Sequence, residues 1–171
     1  MAWRLRAAGA GDADALSLVA TATFLETYAG ILDGADIVAH CRDRLTAAAF
    51  TALIADPMTR VTLAGHDIGG APVGYMVVTP SRLPIARDGD TELRRLYALA
   101  SFHGGGLGPA LMARAVAEAR ADGGARLLLG VYHGNARARR FYERSGFTIV
   151  GERPFRVGAA VYRDPVYALT L

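Results

Sequence analysis

The stretch FHGGGLGPAL, residues 102–111, puts four glycines and a proline directly before a run of apolar helix formers. It reads either as a mobile loop or as a cradle for an anion. The first turn of a helix has backbone N–H groups without intrahelical partners, and these attract negative charge together with the helix dipole. Glycine allows the unusual φ values that let a ligand approach the backbone closely. Pro109, read near the first helical position, forfeits an N–H that the helix does not use. Two nucleotide-binding patterns fit poorly. A P-loop requires Lys and then Ser or Thr after its last glycine, whereas Pro109 and Ala110 follow Gly108 here. A dinucleotide fingerprint requires an acidic residue ending the next strand, and that strand ends in Tyr132 and His133.

Other residues bring further chemistry. Glu92 opens the strand that leads into the glycines, as a proton-accepting carboxylate or as a solvated strand end. Arg94 and Arg95 would lower its pKa if they faced it. Strict alternation puts Arg94 on the face of Glu92 and Arg95 on the opposite one. Tyr142 is either a proton-donating phenol or an ordinary core aromatic. Asn135, the sole asparagine, stands where a helix N-cap is needed. His40 and Cys41 are adjacent on a helical segment, and such neighbours do not face each other. A packed thiol is therefore favoured over a Cys–His pair. No metal-ligand set is assigned.

The elements that must position these residues follow from periodicity. Residues 3–8 alternate as a strand. Asp12 is placed to cap a helix through Tyr28, with Leu16, Val19, Ala20, Phe24 and Tyr28 on one face. A second helix spans 35–55 and is ended by Asp56-Pro57. Strands follow at 60–65 and 72–80, then a polar loop at 81–90 and a strand at 92–100. A helix from Pro109 to Asp122 carries Leu107, Leu111, Ala115 and Ala119 as its stripe, and Gly123-Gly124 ends it. Residues 126–132 form a nearly continuous apolar strand, as burial on both faces demands. A helix from Asn135 to Ser145 and an antiparallel pair at 147–153 and 160–171 complete the chain. The order implies one α/β domain, residues 1–171, with a mixed, mostly antiparallel sheet of about seven strands and four helices.

Two motifs together resemble the GCN5-related N-acetyltransferase (GNAT) family. The (R/Q)-x-x-G-x-(G/A) signature matches His103-Gly104-Gly105-Gly106-Leu107-Gly108 except at its first position. One strand later, NARARRFYERSGF (135–147) is similar to N-x-x-A-x-x-F-Y-x-x-x-G-F, with Asn135, Ala138, Phe141, Tyr142, Gly146 and Phe147 in place. The resemblance covers nearly the whole chain. It implies acetyl-CoA as cofactor, with CoA as product. Backbone groups of Leu96, Tyr97 and Ala98 would bond the pantetheine arm. The N–H groups of Gly104, Gly105, Gly106, Leu107 and Gly108 would hold the pyrophosphate, Pro109 closing the stretch without a donor. His103 replaces the usual Arg or Gln, so the cradle relies more on its main chain. Asn135 and Ala138 share a face with Tyr142 toward the CoA sulfur, and Phe141 serves chiefly as packing. Tyr142 takes the general-acid position and Glu92 is the candidate base.

Several segments are similar to the bacterial spermidine/spermine acetyltransferases within the family: TATFLETYAGIL (21–32), ELRRLYAL (92–99) and the VYALTL tail. The resemblance puts a small-molecule amine, with a polyamine as one case, against the first helices. Phe24, Tyr28 and Glu92 are the candidate substrate contacts. Glu26, Asp33 and Asp36 on those helices suit a polycation, whereas Arg94 stands where polyamine-acetylating relatives have an acid. A peptide N-terminal acetyltransferase and a non-catalytic acetyl-CoA sensor remain alternatives.

A net charge of +3 without a basic block argues against nucleic acid as partner. All 19 basic residues are Arg, a composition bias that raises the pI without marking a site. A single cysteine excludes an internal disulfide and suits a reducing compartment. With no signal core and no membrane-length apolar run, a cytoplasmic location without a membrane partner is expected. A homodimer is left open.

Overall fold

The computed structural model describes residues 2–157 and 160–171. The chain runs β1 (Trp3–Ala7), α1 (Ala13–Tyr28), α2 (Gly34–Arg44), α3 (Ala47–Ala55), β2 (Arg60–His66), β3 (Pro72–Pro80), β4 (Asp90–Ala98), α4 (Leu107–Ala121), β5 (Arg126–Gly130), α5 (Ala136–Arg144), β6 (Thr148–Val157) and β7 (Ala160–Thr170). The strands form one sheet in the order β1-β2-β3-β4-β5-β7-β6. Among the described residues only β4 and β5 pair in parallel; the other pairings are antiparallel. The expected mixed seven-stranded sheet is thus present.

Each face of the sheet carries its own apolar layer. Met76, Val78, Leu93, Leu127 and Leu129 pack under α4 through Leu107, Leu111, Ala115 and Ala119. On the other face Leu63, Tyr75 and Val77 meet Leu16, Val19, Phe24 and Phe50 of α1 and α3. Leu127, Leu128 and Leu129 are all essentially inaccessible, as expected of a strand covered on both sides.

Five α-helices are present among the described residues, where four were expected. The segment read as one helix over 35–55 is two, because Thr46 takes an extended conformation and its hydroxyl accepts the Ala49 N–H, starting α3 afresh. Asp12 does not cap α1 through its side chain. Its carboxylate instead accepts from the Arg6 guanidinium and the Gly9 N–H. Helix α4 begins at Leu107 rather than Pro109, so Pro109 is its third residue. The proline still costs nothing there, because that N–H also lies in the unpaired first turn. Strand β5 stops at Gly130, short of the expected Tyr132.

Strand β4 departs from strict alternation. Val78 pairs with Leu93 and Val77 with Arg95, so Arg94 is an extra residue in a β-bulge. The bulge reverses the expected facing. Glu92, opposite Thr79, and Arg95, opposite Val77, lie on the α1–α3 face, and Tyr97 stacks there on Tyr75 at 5.9 Å.

Candidate active site

The site begins where two strands part. β4 and β5 pair only through Asp90, Thr91 and Glu92, against Arg126, Leu127 and Leu128. The pairing is clamped by Arg126, which donates to both oxygens of the buried Asp90 carboxylate at 2.5 and 3.0 Å. The guanidinium holds the Asp90 pKa below the ordinary carboxylate range. Beyond Glu92 the strands diverge, and among the described residues no strand pairs with 93–98 on the β5 side. A cleft of about 940 Å³ opens there. Leu96, Tyr97 and Ala98 form one wall, Gly130, Val131 and Tyr132 the other, and Asn135, Ala138, Phe141 and Tyr142 approach from α5.

At one end of the cleft is the glycine run. Gly104 and Gly106 have φ of +77° and +82°, which glycine adopts without strain. The first helical hydrogen bond of α4 runs from Ala110 N–H to the Gly106 carbonyl. The N–H groups of Leu107 and Gly108 therefore have no partner within the helix. Gly105 N–H makes only a long bond, 3.4 Å, to the Phe102 carbonyl, and Trp3 Nε1 braces the loop through the Gly105 carbonyl. His103, Gly104, Gly108 and Pro109 line the cleft. Free donors at a helix start, with no side chain over Gly104 or Gly106, fit a phosphate-bearing ligand.

His103 bridges rather than reaches outward. Its Nε2 lies 2.9 Å from the Ala98 carbonyl, and its Nδ1 faces Arg137 Nη1. A guanidinium can only donate and a carbonyl can only accept. With these partners Nδ1 is placed to accept and Nε2 to donate. Arg137, which the motif reading passed over, thus brings to the glycine run the cation that His103 lacks. Its position in the first turn of α5 follows from Asn135, whose side-chain oxygen accepts the Ala138 N–H at 3.0 Å.

Tyr142 is buried, packed at 5.5 Å from Phe141 and 6.0 Å from Phe147, and lines the cleft. Its hydroxyl bonds no group among the described residues. Burial raises its pKa above that of a free phenol, so it stays protonated. Helix α5 is tied down by Tyr167, which donates to Glu143 at 2.9 Å and accepts from Arg139. Phe141 combines packing with a place on the cleft wall, its ring 3.8 Å from where a Cβ on Gly108 would stand.

Glu92 is also buried and on the cleft, where its Oε2 accepts the Arg82 N–H at 3.2 Å. A second carboxylate, not foreseen from sequence, lies on β7. Asp164 is inaccessible, accepts the His133 N–H at 3.0 Å through Oδ1, and leaves Oδ2 without a partner. Burial is the main cause of its raised pKa.

Phe24 and Tyr28 reach the cleft as expected, their rings 4.5 Å apart. The acids of the same helices do not. Asp33 caps α2 by accepting the Ala35 N–H, Glu26 accepts the Ala100 N–H, and Asp36 lies outside the cleft. His40 stacks on Phe24 at 4.3 Å, and burial raises the Cys41 thiol pKa, so this pair is packing and not an activated nucleophile.

This geometry has relatives. The acetyltransferase (GNAT) family model matches residues 31–147. An uncharacterized N-acetyltransferase of Mycobacterium tuberculosis is 38% identical over 155 residues, 91% of this chain and 95% of that protein. PaiA N-acetyltransferase from Thermoplasma acidophilum, solved with coenzyme A, superposes with a TM-score of 0.82 over 100% of both chains at 20% identity. YncA, a putative acetyltransferase from Salmonella typhimurium solved with acetyl-CoA, gives 0.68 over 100% of this chain and 95% of that one at 23% identity. The chain belongs to the GNAT acetyltransferase family. No helix among the described residues is long and apolar enough to cross a membrane.

Proposed function

We propose that the protein transfers the acetyl group of acetyl-CoA to a primary amine of a small molecule, by direct attack within a ternary complex. The observation that carries this is the parting of β4 from β5 beyond Glu92, with anion donors at one end and Tyr142 inside. The open β4 edge at Leu96, Tyr97 and Ala98 offers backbone hydrogen bonds to an amide-bearing arm. Gly104, Gly106, Leu107 and Gly108 supply main-chain donors to the pyrophosphate, and Arg137 adds charge beside His103. Asn135 keeps its amide nitrogen for the arm while its oxygen caps α5.

Acetyl-CoA supplies an activated thioester; the protein's own groups handle protons. An alkylammonium with a pKa near 10.4 must lose a proton before its nitrogen attacks the carbonyl carbon. Glu92 is the proposed base. Asp164 is the second candidate, because its oxygen has no partner and burial raises its pKa, which makes it a stronger proton acceptor than an ordinary carboxylate. As the new C–N bond forms and the C–S bond breaks, Tyr142 donates its proton to the departing sulfur. The ammonium proton held by the carboxylate then passes to solvent, and the second proton, shed by nitrogen as the amide forms, restores the phenol.

Incubating the protein with acetyl-CoA and a panel of amines tests this reading, with free thiol and acceptor mass as readouts. One acceptor gaining an acetyl group with stoichiometric thiol release supports it. Tight acetyl-CoA binding with no acceptor acetylated would favour the sensor. Glu92→Gln and Asp164→Asn identify the base, since the variant that loses the acidic limb of the pH–rate profile has lost it.

A further inference from the structure

The acceptor half of the cleft is basic. Arg44, Arg82, Arg94, Arg95, Arg153 and Arg156 line it, against the carboxylates of Asp43, Glu92 and Asp164. None of these arginines has an ion-pair partner among the described residues, while Asp43 is already paired with Arg42.

Two of the arginines are half-buried, each with one nitrogen shut off from solvent. Arg95 Nη1 and Arg153 Nε are buried and without hydrogen-bond partners. A buried cationic donor left unpaired is costly, so such a group marks a place for a ligand acceptor. Both side chains are held in position. Arg95 lies over the Phe50 ring at 5.2 Å and donates to the Arg44 carbonyl, and it faces this side only because of the bulge at Arg94. Arg153 lies over the Phe155 ring at 5.0 Å and crosses β5 at Gly130. A Cβ on Gly130 would stand 2.1 Å from Arg153 Nε, so the glycine makes room for this guanidinium. Burial raises the Tyr97 pKa, and the charges of both arginines act against that rise. Opposite in sign, and facing Arg153 across the β6–β7 pair, stands Asp164 with its unpartnered Oδ2.

Resting on the acetyltransferase reading above, we infer that the acceptor amine carries a carboxylate, as an amino acid does. Arg95 and Arg153 receive the carboxylate, whose two oxygens match the planar guanidinium fork. Asp164 and Glu92 lie on the ammonium side, where the proton must leave. Phe24, Tyr28 and Tyr132 offer apolar walls to the remainder. A polyamine would bring several ammonium groups among unpaired arginines, a like-charge arrangement that rejects it.

The test compares amines that differ only in the carboxylate: phenylalanine with phenethylamine, tryptophan with tryptamine, methionine with 3-(methylthio)propylamine. Spermidine and an aminoalkylphosphonate complete the panel. The carboxylated member of at least one pair is expected to win by about tenfold or more in kcat/KM, the range of a lost charge-assisted hydrogen bond. Arg153→Met and Arg95→Met should bring that ratio toward one while leaving acetyl-CoA affinity by calorimetry unchanged, and Arg153→Lys should restore part of it. Preference for the decarboxylated amines or spermidine would overturn the inference and leave the acetyltransferase reading intact. Preference for the phosphonate would overturn the carboxylate assignment. If no amine is acetylated although acetyl-CoA binds, the transfer reading fails and thermal shift decides the inference. Stabilisation by an amino acid in the presence of CoA, lost in Arg153→Met, upholds it; no stabilisation overturns it. Should either variant fail to fold, the matched pairs on the wild-type protein decide alone.

Discussion

Replacing Tyr142 by Phe separates the phenol's chemistry from its packing. The hydroxyl bonds no group among the described residues, whereas the ring packs against Phe141, Phe147 and, at 6.4 Å, Tyr167. Phenylalanine keeps those ring contacts and removes one polar group from a buried site. Stability should therefore stay within about 0.5 kcal/mol of wild type. Turnover should not. Loss of a positioned proton donor lowers kcat by about 10²–10⁴. At 1.36 kcal/mol per tenfold, that is roughly 2.7–5.4 kcal/mol of barrier. The KM for acetyl-CoA should change by about twofold or less, since the role proposed for the hydroxyl is on the departing sulfur and not in ground-state binding. Continuous detection of free thiol on a confirmed acceptor gives kcat and KM, and a melting curve gives stability. A kcat within about threefold of wild type would refute the acid role. A large drop in melting temperature would show that the hydroxyl has a structural partner this account omits.

Three further outcomes follow from particular contacts. Arg137→Ala removes the cation beside His103 and should weaken acetyl-CoA binding by calorimetry about tenfold, the value of one charged hydrogen bond, with little change in melting temperature. Gly106→Ala forces a side chain into φ +82° and should cost about 1–2 kcal/mol, read as a melting temperature lower by roughly 2–8 °C, along with weaker acetyl-CoA binding. Asp90→Asn breaks the clamp at the apex of the cleft and should destabilise by about 2–4 kcal/mol at neutral pH. The folded pKa of Asp90 is depressed, so its contribution is fully present above the unfolded value near 3.9 and is lost as pH falls through the folded value. The difference in melting temperature between wild type and Asp90→Asn should therefore shrink as the pH is lowered from 7 towards 3.

The sequence was most legible where periodicity and punctuation agreed. The stripe Leu107, Leu111, Ala115 and Ala119, the run Leu127–Leu129 and the Asn135 cap all sit where spacing placed them. The break at Leu45-Thr46 was hidden because good helix formers flank it on both sides. The bulge at Arg94 has no local signature, and without it alternation turns Arg95 to the wrong face. Glu26, Asp33 and Asp36 suit a polycation by type alone, yet two of them are used on nearby or packed backbone N–H groups. Arg137, Arg153 and Asp164 become site residues only when distant elements converge. A signal for Arg153 did exist: a glycine ending an apolar strand, as Gly130 does, marks close approach by another group.

The central claim is that acetyl-CoA lies between the parted strands with its pyrophosphate on the α4 cradle. Residue-resolved amide hydrogen exchange, with and without acetyl-CoA, tests it most directly. Exchange should slow at Gly104–Gly108 and along Leu96–Ala98, with β1 and β2 unchanged. Binding with protection confined to other elements, or no protection at saturating acetyl-CoA, would contradict it.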